Sequence, residues 1–381
     1  MKKAMKANKT IVTFLEERGE SEWREWRDNE KFYCIDCQAE VLLRLGNKRK
    51  WHFAHKKKTV CKGNNNGETE KHQKGKTDLY HFFQKDHIVE LESYIPLTKQ
   101  CPDILIKDKQ MLAVEYQCAT IETATIFDRN TRYQSAGINA IWILGGNRLK
   151  RQSTYLFKLH GFEWHALQTY KNEAYLIYYD SEDKLFCTLR HITALQSDLI
   201  LAHLIERPIA QASFSILHKP EPLNASFHQA YKQYRIKTVV NILLSNRKFQ
   251  FYLYKQNRRE LPLLSGWPIP AQKYIQLSPF IWQSFFLLQF LQHIPLKRSI
   301  SFNSIRSGLV TVMSKQLHPI KPFCSYQKVI NQAAKQYLDL LCTFQIFKRQ
   351  DNQTYKRVCS IDRILISEDN LIKLWHTTIH F

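Results

Sequence analysis

The clearest patterning along the chain lies between residues 69 and 146. Apolar residues at 79, 82, 83 and 88 recur at helical spacing, which predicts a helix over roughly 69–89. His72, Lys76 and Tyr80 fall on one stripe of it. "ESYIPLT" (92–98) reads as a strand. "CPDILIKDKQMLAVEYQ" (101–117) reads as a hairpin whose polar turn is centred near Asp108–Lys109. "TATIFDRNTRYQSAG" (123–137) is helical, and "INAIWILGG" (138–146) is a buried strand ending at glycine. A helix, strands, a helix and a strand in this order describe a compact α/β core.

On either side the rhythm changes. "AEVLLRLG" and "KRKWHF" predict two short strands joined near Gly46–Asn47. "EAYLIYYDSEDKLFCTLR" (173–190) predicts another hairpin, and "NRKFQFYLYKQNRREL" (246–261) a further strand. "FIWQSFFLLQFLQHI" (280–294) is a core helix; polar residues interrupt it and it is shorter than the roughly 20 residues of a membrane span. Near the end, "YQKVINQAAKQYLDLLCTFQIFKRQDNQTYKRV" places an amphipathic helix before a hairpin. That order fits the close of a winged helix, with Lys348, Arg349, Lys356 and Arg357 on the wing, and equally a plain core helix with its hairpin. The fold class is therefore α/β (α+β) and multidomain. Boundaries are expected at 1–66, 67–160 and 161–381, the last a docking or DNA-binding region, with "KGNNNGE" (62–68) as a linker.

Charge changes the picture more than composition does. A formal net charge of +22 over 381 residues points to a polyanion, with nucleic acid as the default partner. Basic density peaks at Arg44, Lys48, Arg49, Lys50, Lys56, Lys57 and Lys58, with no acidic residue among them and Trp51 and Phe53 interleaved. Arg129 on the second helix adds a further DNA-facing candidate. The N-terminal lysines have no continuous apolar stretch behind them, so a cytoplasmic protein is expected. Nine cysteines, an odd number spread along the chain, suit free thiols or a metal site better than a disulfide framework.

Two groups of residues carry candidate chemistry. Cys34-x-x-Cys37 followed by His52 and His55 has the spacing of a tetrahedral zinc site, and Cys61 is an alternative ligand. His52 and His55 on one strand would face opposite sides, so which residues complete the site stays open. The second group is on the hairpin. A register about its turn places Asp103 opposite Val114, or opposite Glu115 with one bulged residue. Glu115 and Gln117 share a face, roughly 6–7 Å apart along the strand. Two carboxylates converging there suit Mg²⁺ or Mn²⁺, and the chemistry they allow is metal-assisted hydrolysis of a phosphodiester.

"YCIDC", "HFAH", "ETEKHQKGKTDLYHFF", "PDILI", "VEYQ" and "INAIWIL", in this order, resemble the CoiA family of competence proteins. The middle part of that family is similar to restriction-endonuclease-like (PD-D/E-x-K) nucleases. The resemblance covers about the first 150 residues. It implies that Asp103 and Glu115 are metal-binding carboxylates, that Glu70 is the acidic residue given by the first helix, and that Gln117 stands where the motif has lysine. Glutamine can orient water but adds no positive charge, and Lys76 is the nearest candidate to replace it. Three functions follow: a Mg²⁺-dependent nuclease acting in natural transformation and homologous recombination, on single strands or recombination intermediates; a nuclease-fold DNA-binding adaptor assisting a RecA-type recombinase; or a zinc-knuckle and winged-helix regulator.

Overall fold

The computed structural model describes residues 3–14, 18–34, 37–46, 51–56, 69–170, 173–214, 225–314, 325–361 and 367–378. The chain divides into two compact units, residues 1–73 and 74–381.

In the first unit, β1 (Lys3–Lys6), β2 (Ile11–Thr13), β3 (Phe32–Tyr33), β4 (Glu40–Arg44) and β5 (His52–His55) form one sheet in the order β2-β1-β3-β4-β5. Helix α1 (Glu20–Asn29) covers it. Trp23 of α1 stacks on Phe14 with ring centroids 4.3 Å apart and meets Phe53 edge-on. The expected hairpin is present, with Arg44 paired to His52 and Val41 to His55. Phe53 is core, whereas Trp51 is half-buried beside it.

The second unit begins its sheet with helix α2 (Glu70–Gln84), which crosses the division, followed by β6 (Val89–Leu91), β7 (Ile104–Lys107), β8 (Met111–Gln117), α3 (Thr123–Ser135) and β9 (Asn139–Gly145). Strands β10 (Lys150–Arg151), β11 (Leu156–Lys158), β12 (Gln168–Tyr170), β13 (Glu173–Asp180), β14 (Leu185–Ala194) and β15 (Leu199–Pro208) continue it. The order is β10-β11-β15-β14-β13-β9-β8-β7-β6, with β12 on β13. The expected boundary at 160 thus lies between strands of one sheet: β13 pairs parallel with β9, so the hairpin of 173–190 completes the core begun by β6–β9. Because both faces are covered, the central strands are near-continuous apolar runs. Leu79, Phe82 and Phe83 of α2 pack on Ile104, Ile106, Val114 and Tyr116. Tyr133 of α3 packs with Leu105 and Ala113 on the other face.

Two sequence expectations are corrected here. "ESYIPLT" is a turn closed by an Ile95–Gln100 bridge, and the strand lies earlier, at β6. Pro96 and the left-handed backbone at Glu92 and Lys99 break any regular ladder there. "NRKFQFYLYK" is helix α5 (Arg247–Lys255), which follows α4 (Ala225–Ser245). Phe249, Phe251 and Leu253 alternate like a strand, but Asn246 accepts the Phe249 N–H at 3.1 Å as a helix cap, and Phe249 and Leu253 bury one turn apart.

The helical remainder packs around α6 (Pro279–Gln289), the core helix expected there. Beyond it come β16 (Ser299–Ser301), α7 (Phe302–Ser314), α8 (Tyr326–Thr343), β17 (Phe347–Arg349), β18 (Thr354–Arg357) and α9 (Glu368–Thr378). The three strands lie in the order β16-β18-β17. Among the described residues no helix is long and apolar enough to cross a membrane.

Candidate functional site

The hairpin register differs from the expected one by half a step. Ile104 pairs with Val114, Leu105 with Ala113 and Lys107 with Met111, so the turn centres on Lys109. Continued by one residue, this register sets Asp103 opposite Glu115 without a bulge. Alternation then sends Ala113 and Glu115 toward α3, and Val114 and Tyr116 toward α2.

Glu115 is buried. Its Oε1 accepts the Tyr133 hydroxyl at 2.5 Å and pairs with the guanidinium of Arg129, both from α3. Arg129 also reaches the Cys101 carbonyl at 3.3 Å, and its guanidinium lies over the Trp142 ring. Burial pushes the Glu115 carboxyl up to about 7; the Arg129 charge pulls the other way and the nearby Asp103 adds to the rise.

Asp103 sits at the rim where the two faces meet. One oxygen accepts the Tyr116 N–H at 2.9 Å, which fixes the carboxylate to the neighbouring strand. The other lies 3.5 Å from the Lys76 ammonium. Lys76 is only 4% exposed, and its Nζ is also 2.5 Å from Glu92 Oε1. Gly75 explains how α2 comes this close: a Cβ there would lie 2.3 Å from the Tyr116 ring.

Gln117 donates its side-chain amide to the Ala119 carbonyl at 2.8 Å. Glu70 is exposed in the first turn of α2. Asp103 and Glu115 therefore face each other in register, Lys76 joins Asp103, and Arg129 meets Glu115. Among the described residues, neither carboxylate belongs to a group of three acidic, His or Cys side chains at shared-ligand distance. Glu92 is the participant that sequence reasoning missed. Its signal, an acidic residue ahead of "PD", was hidden by reading "ESYIPLT" as a regular strand.

The first unit does hold such a group. Cys34, Cys37 and His55 bring their ligand atoms within 4.8 Å of one another, with Cys37 Sγ 3.3 Å from His55 Nε2. A tight turn makes this possible: Gln38 N–H donates to the Cys34 carbonyl at 2.9 Å, and Cys34 N–H to Ala39 O at 2.8 Å. This trio can hold a metal ion. His52 is not in the group; three positions from His55 on one strand, it takes the opposite side. Cys61, Lys48, Arg49, Lys50, Lys57 and Lys58 lie outside the described residues. Arg44 and Lys56 are exposed, with Lys56 Nζ 2.9 Å from Glu40.

The first unit thus offers two cysteines and a histidine that could hold a metal ion, and the second an α-β-β-β-α-β core with paired carboxylates at a strand end, an arrangement compatible with the nuclease-like class of protein. Family models for competence protein CoiA match along the chain: its N-terminal domain over residues 15–64, its nuclease-like domain over 68–222 and its C-terminal domain over 222–371. The competence protein CoiA of Bacillus subtilis (strain 168) is 29% identical over 335 residues, covering 85% of this chain and 89% of that one. The chain belongs to the CoiA family of competence proteins. No solved structure matches it.

Proposed function

We propose that the chain is a cytoplasmic DNA-processing protein of natural transformation and homologous recombination, whose nuclease-like domain hydrolyses phosphodiester bonds with Mg²⁺ or Mn²⁺. The observation that carries this reading is the rim itself: Asp103 opposite Glu115, with the Lys76 ammonium 3.5 Å from Asp103. The donor set fits a hard divalent cation, because both carboxylates offer oxygen. Asp103 and Glu115 would hold it, and when bound it would polarise a phosphoryl oxygen and lower the pKa of an attacking water. Lys76 supplies, from the helix, the positive charge that Gln117 lacks on the strand, and it would oppose the charge developing on the phosphoryl group. Glu70, where the family pattern has an acidic residue, is the further carboxylate proposed for this end of the domain.

In the first unit we assign zinc to Cys34, Cys37 and His55, with Cys61 as the candidate fourth ligand. The basic run from Arg44 to Lys58 would track the phosphate backbone of single strands or recombination intermediates. The last domain reads as a winged helix. Supporting this are the sequence β16–α7–α8–β17–β18 and the strand order β16-β18-β17, with exposed Lys348 and Arg349 on the wing. Arg357 is not part of that surface: its guanidinium turns inward to the Gln292, Ile294 and Cys359 carbonyls.

A second reading, a DNA-binding adaptor that assists a RecA-type recombinase, is favoured by Glu115, whose carboxylate already engages Arg129 and Tyr133. Incubation with single-stranded and branched DNA plus Mg²⁺ or Mn²⁺ separates the two, with Asp103→Ala and Glu115→Ala alongside. Cleavage by wild type alone supports the nuclease. Binding without cleavage in all three leaves the adaptor.

A further inference from the structure

Glu92 has a backbone φ of +43°, in the left-handed region that glycine enters freely and other residues seldom adopt. A residue needed only to turn the chain there would be glycine or asparagine. The surrounding structure instead fixes a glutamate in place. Its N–H donates to the Asp103 carbonyl at 2.8 Å, and its own carbonyl accepts the Cys101 thiol at 2.7 Å. The backbone of Glu92 is thus tied to the segment that carries Asp103. Its side chain, meanwhile, meets Lys76 Nζ at 2.5 Å, a shorter approach than the 3.5 Å from Lys76 to Asp103. A buried ammonium needs a close counter-charge to stay charged, and Glu92 is the closer of the two.

We propose that Glu92 is the positioning residue of this site: its carboxylate holds the Lys76 ammonium against Asp103, in the role that a strand lysine at position 117 would otherwise have filled. The outlying backbone angle keeps that carboxylate aimed at Lys76 rather than at solvent. The catalytic meaning rests on the nuclease reading above, but the placement of Lys76 can be measured without it.

The test is competitive acetylation of the full-length protein with acetic anhydride, which reads how readily the buried Lys76 amine is released to solvent, with the Lys76 peptide quantified by mass spectrometry against exposed lysines. Wild-type Lys76 is expected to react slowly. Glu92→Gln and Glu92→Gly should raise its rate about tenfold or more as the amine is freed to open toward solvent, while Glu92→Asp stays closer to wild type. Glu92→Gly relieves the backbone angle and Glu92→Gln keeps it, so a fast Lys76 in both, with the exposed lysines unchanged, cannot be ascribed to loosened structure. Unchanged Lys76 labelling in both Glu92→Gln and Glu92→Gly overturns the proposal, as does a Tm drop in Glu92→Gly that accompanies faster labelling of neighbouring lysines as well. If wild type cleaves no DNA, the nuclease reading fails, and the labelling result still decides the role of Glu92.

Discussion

Asp103 lies one residue beyond the Ile104–Val114 pair of the β7–β8 ladder, where the continued register sets it opposite Glu115, yet the two carboxylates are held by different helices: Lys76 of α2 meets Asp103, and Arg129 and Tyr133 of α3 meet Glu115. One strand-end rim thus gathers both faces of the sheet. If the rim is a hydrolytic site, Asp103→Asn and Glu115→Gln should each reduce metal-dependent cleavage at least about 100-fold, on the scale of losing a key electrostatic group. DNA affinity at fixed salt should stay within about threefold, since phosphate contacts by basic residues dominate it. Single-turnover cleavage and filter binding read the two effects separately.

The raised proton affinity of Glu115 makes stability depend on pH. Its folded value, about 7, lies above the ordinary 4.5, so the native state holds the extra proton. The stabilisation is fully present below the unfolded value and is lost as pH rises through the folded one, at up to about 1.4 kcal/mol per pH unit for one group. Melting curves of wild type should therefore fall more steeply than those of Glu115→Gln between pH 5 and about 7. Parallel slopes would refute the assignment.

Within the core of the second unit, Arg148 and Glu163 form a buried pair. Arg148 Nε lies 3.1 Å from Glu163 Oε1, and the His160 N–H donates to Oε2 at 2.7 Å. Removing one partner strands the other charge. Either Arg148→Ala or Glu163→Ala should cost about 3–5 kcal/mol, measured by urea unfolding.

The metal knuckle makes a residue-level prediction. Cys34→Ser and His55→Ala should lower bound zinc in metal analysis and reduce the thermal stability of the first unit. His52→Ala should keep the metal, because His52 takes the other side of the strand from His55.

Gly75 is where α2 meets the sheet. Gly75→Ala would drive a Cβ to 2.3 Å from the Tyr116 ring, against a side chain whose hydroxyl donates to the Tyr179 carbonyl. A loss of about 1–3 kcal/mol is expected from overpacking. Lys76 should also become more accessible to amine labelling in this variant.

Local patterning determined much of this protein. The period of the apolar residues placed α2, β7, β8, α3 and β9, because each buries a face whose spacing is written in its own few residues. Cys34, Cys37, Asp103 and Glu115 could be singled out because metal chemistry restricts residue type and spacing. What tertiary structure alone decided depends on contacts distant in sequence. The strands of 173–208 join the sheet of 89–145 through one parallel pairing, which no local signal announces. Phe249, Phe251 and Leu253 are compatible with strand or helix until a partner surface selects the face that Phe249 and Leu253 bury. The register of the hairpin turned on one residue at Lys109, enough to bring Asp103 opposite Glu115. Lys76 reaches Asp103, and Glu92 reaches Lys76, only because Gly75 lets α2 lie against Tyr116. Such convergence is a property of packed surfaces, and a chain read one window at a time does not contain it.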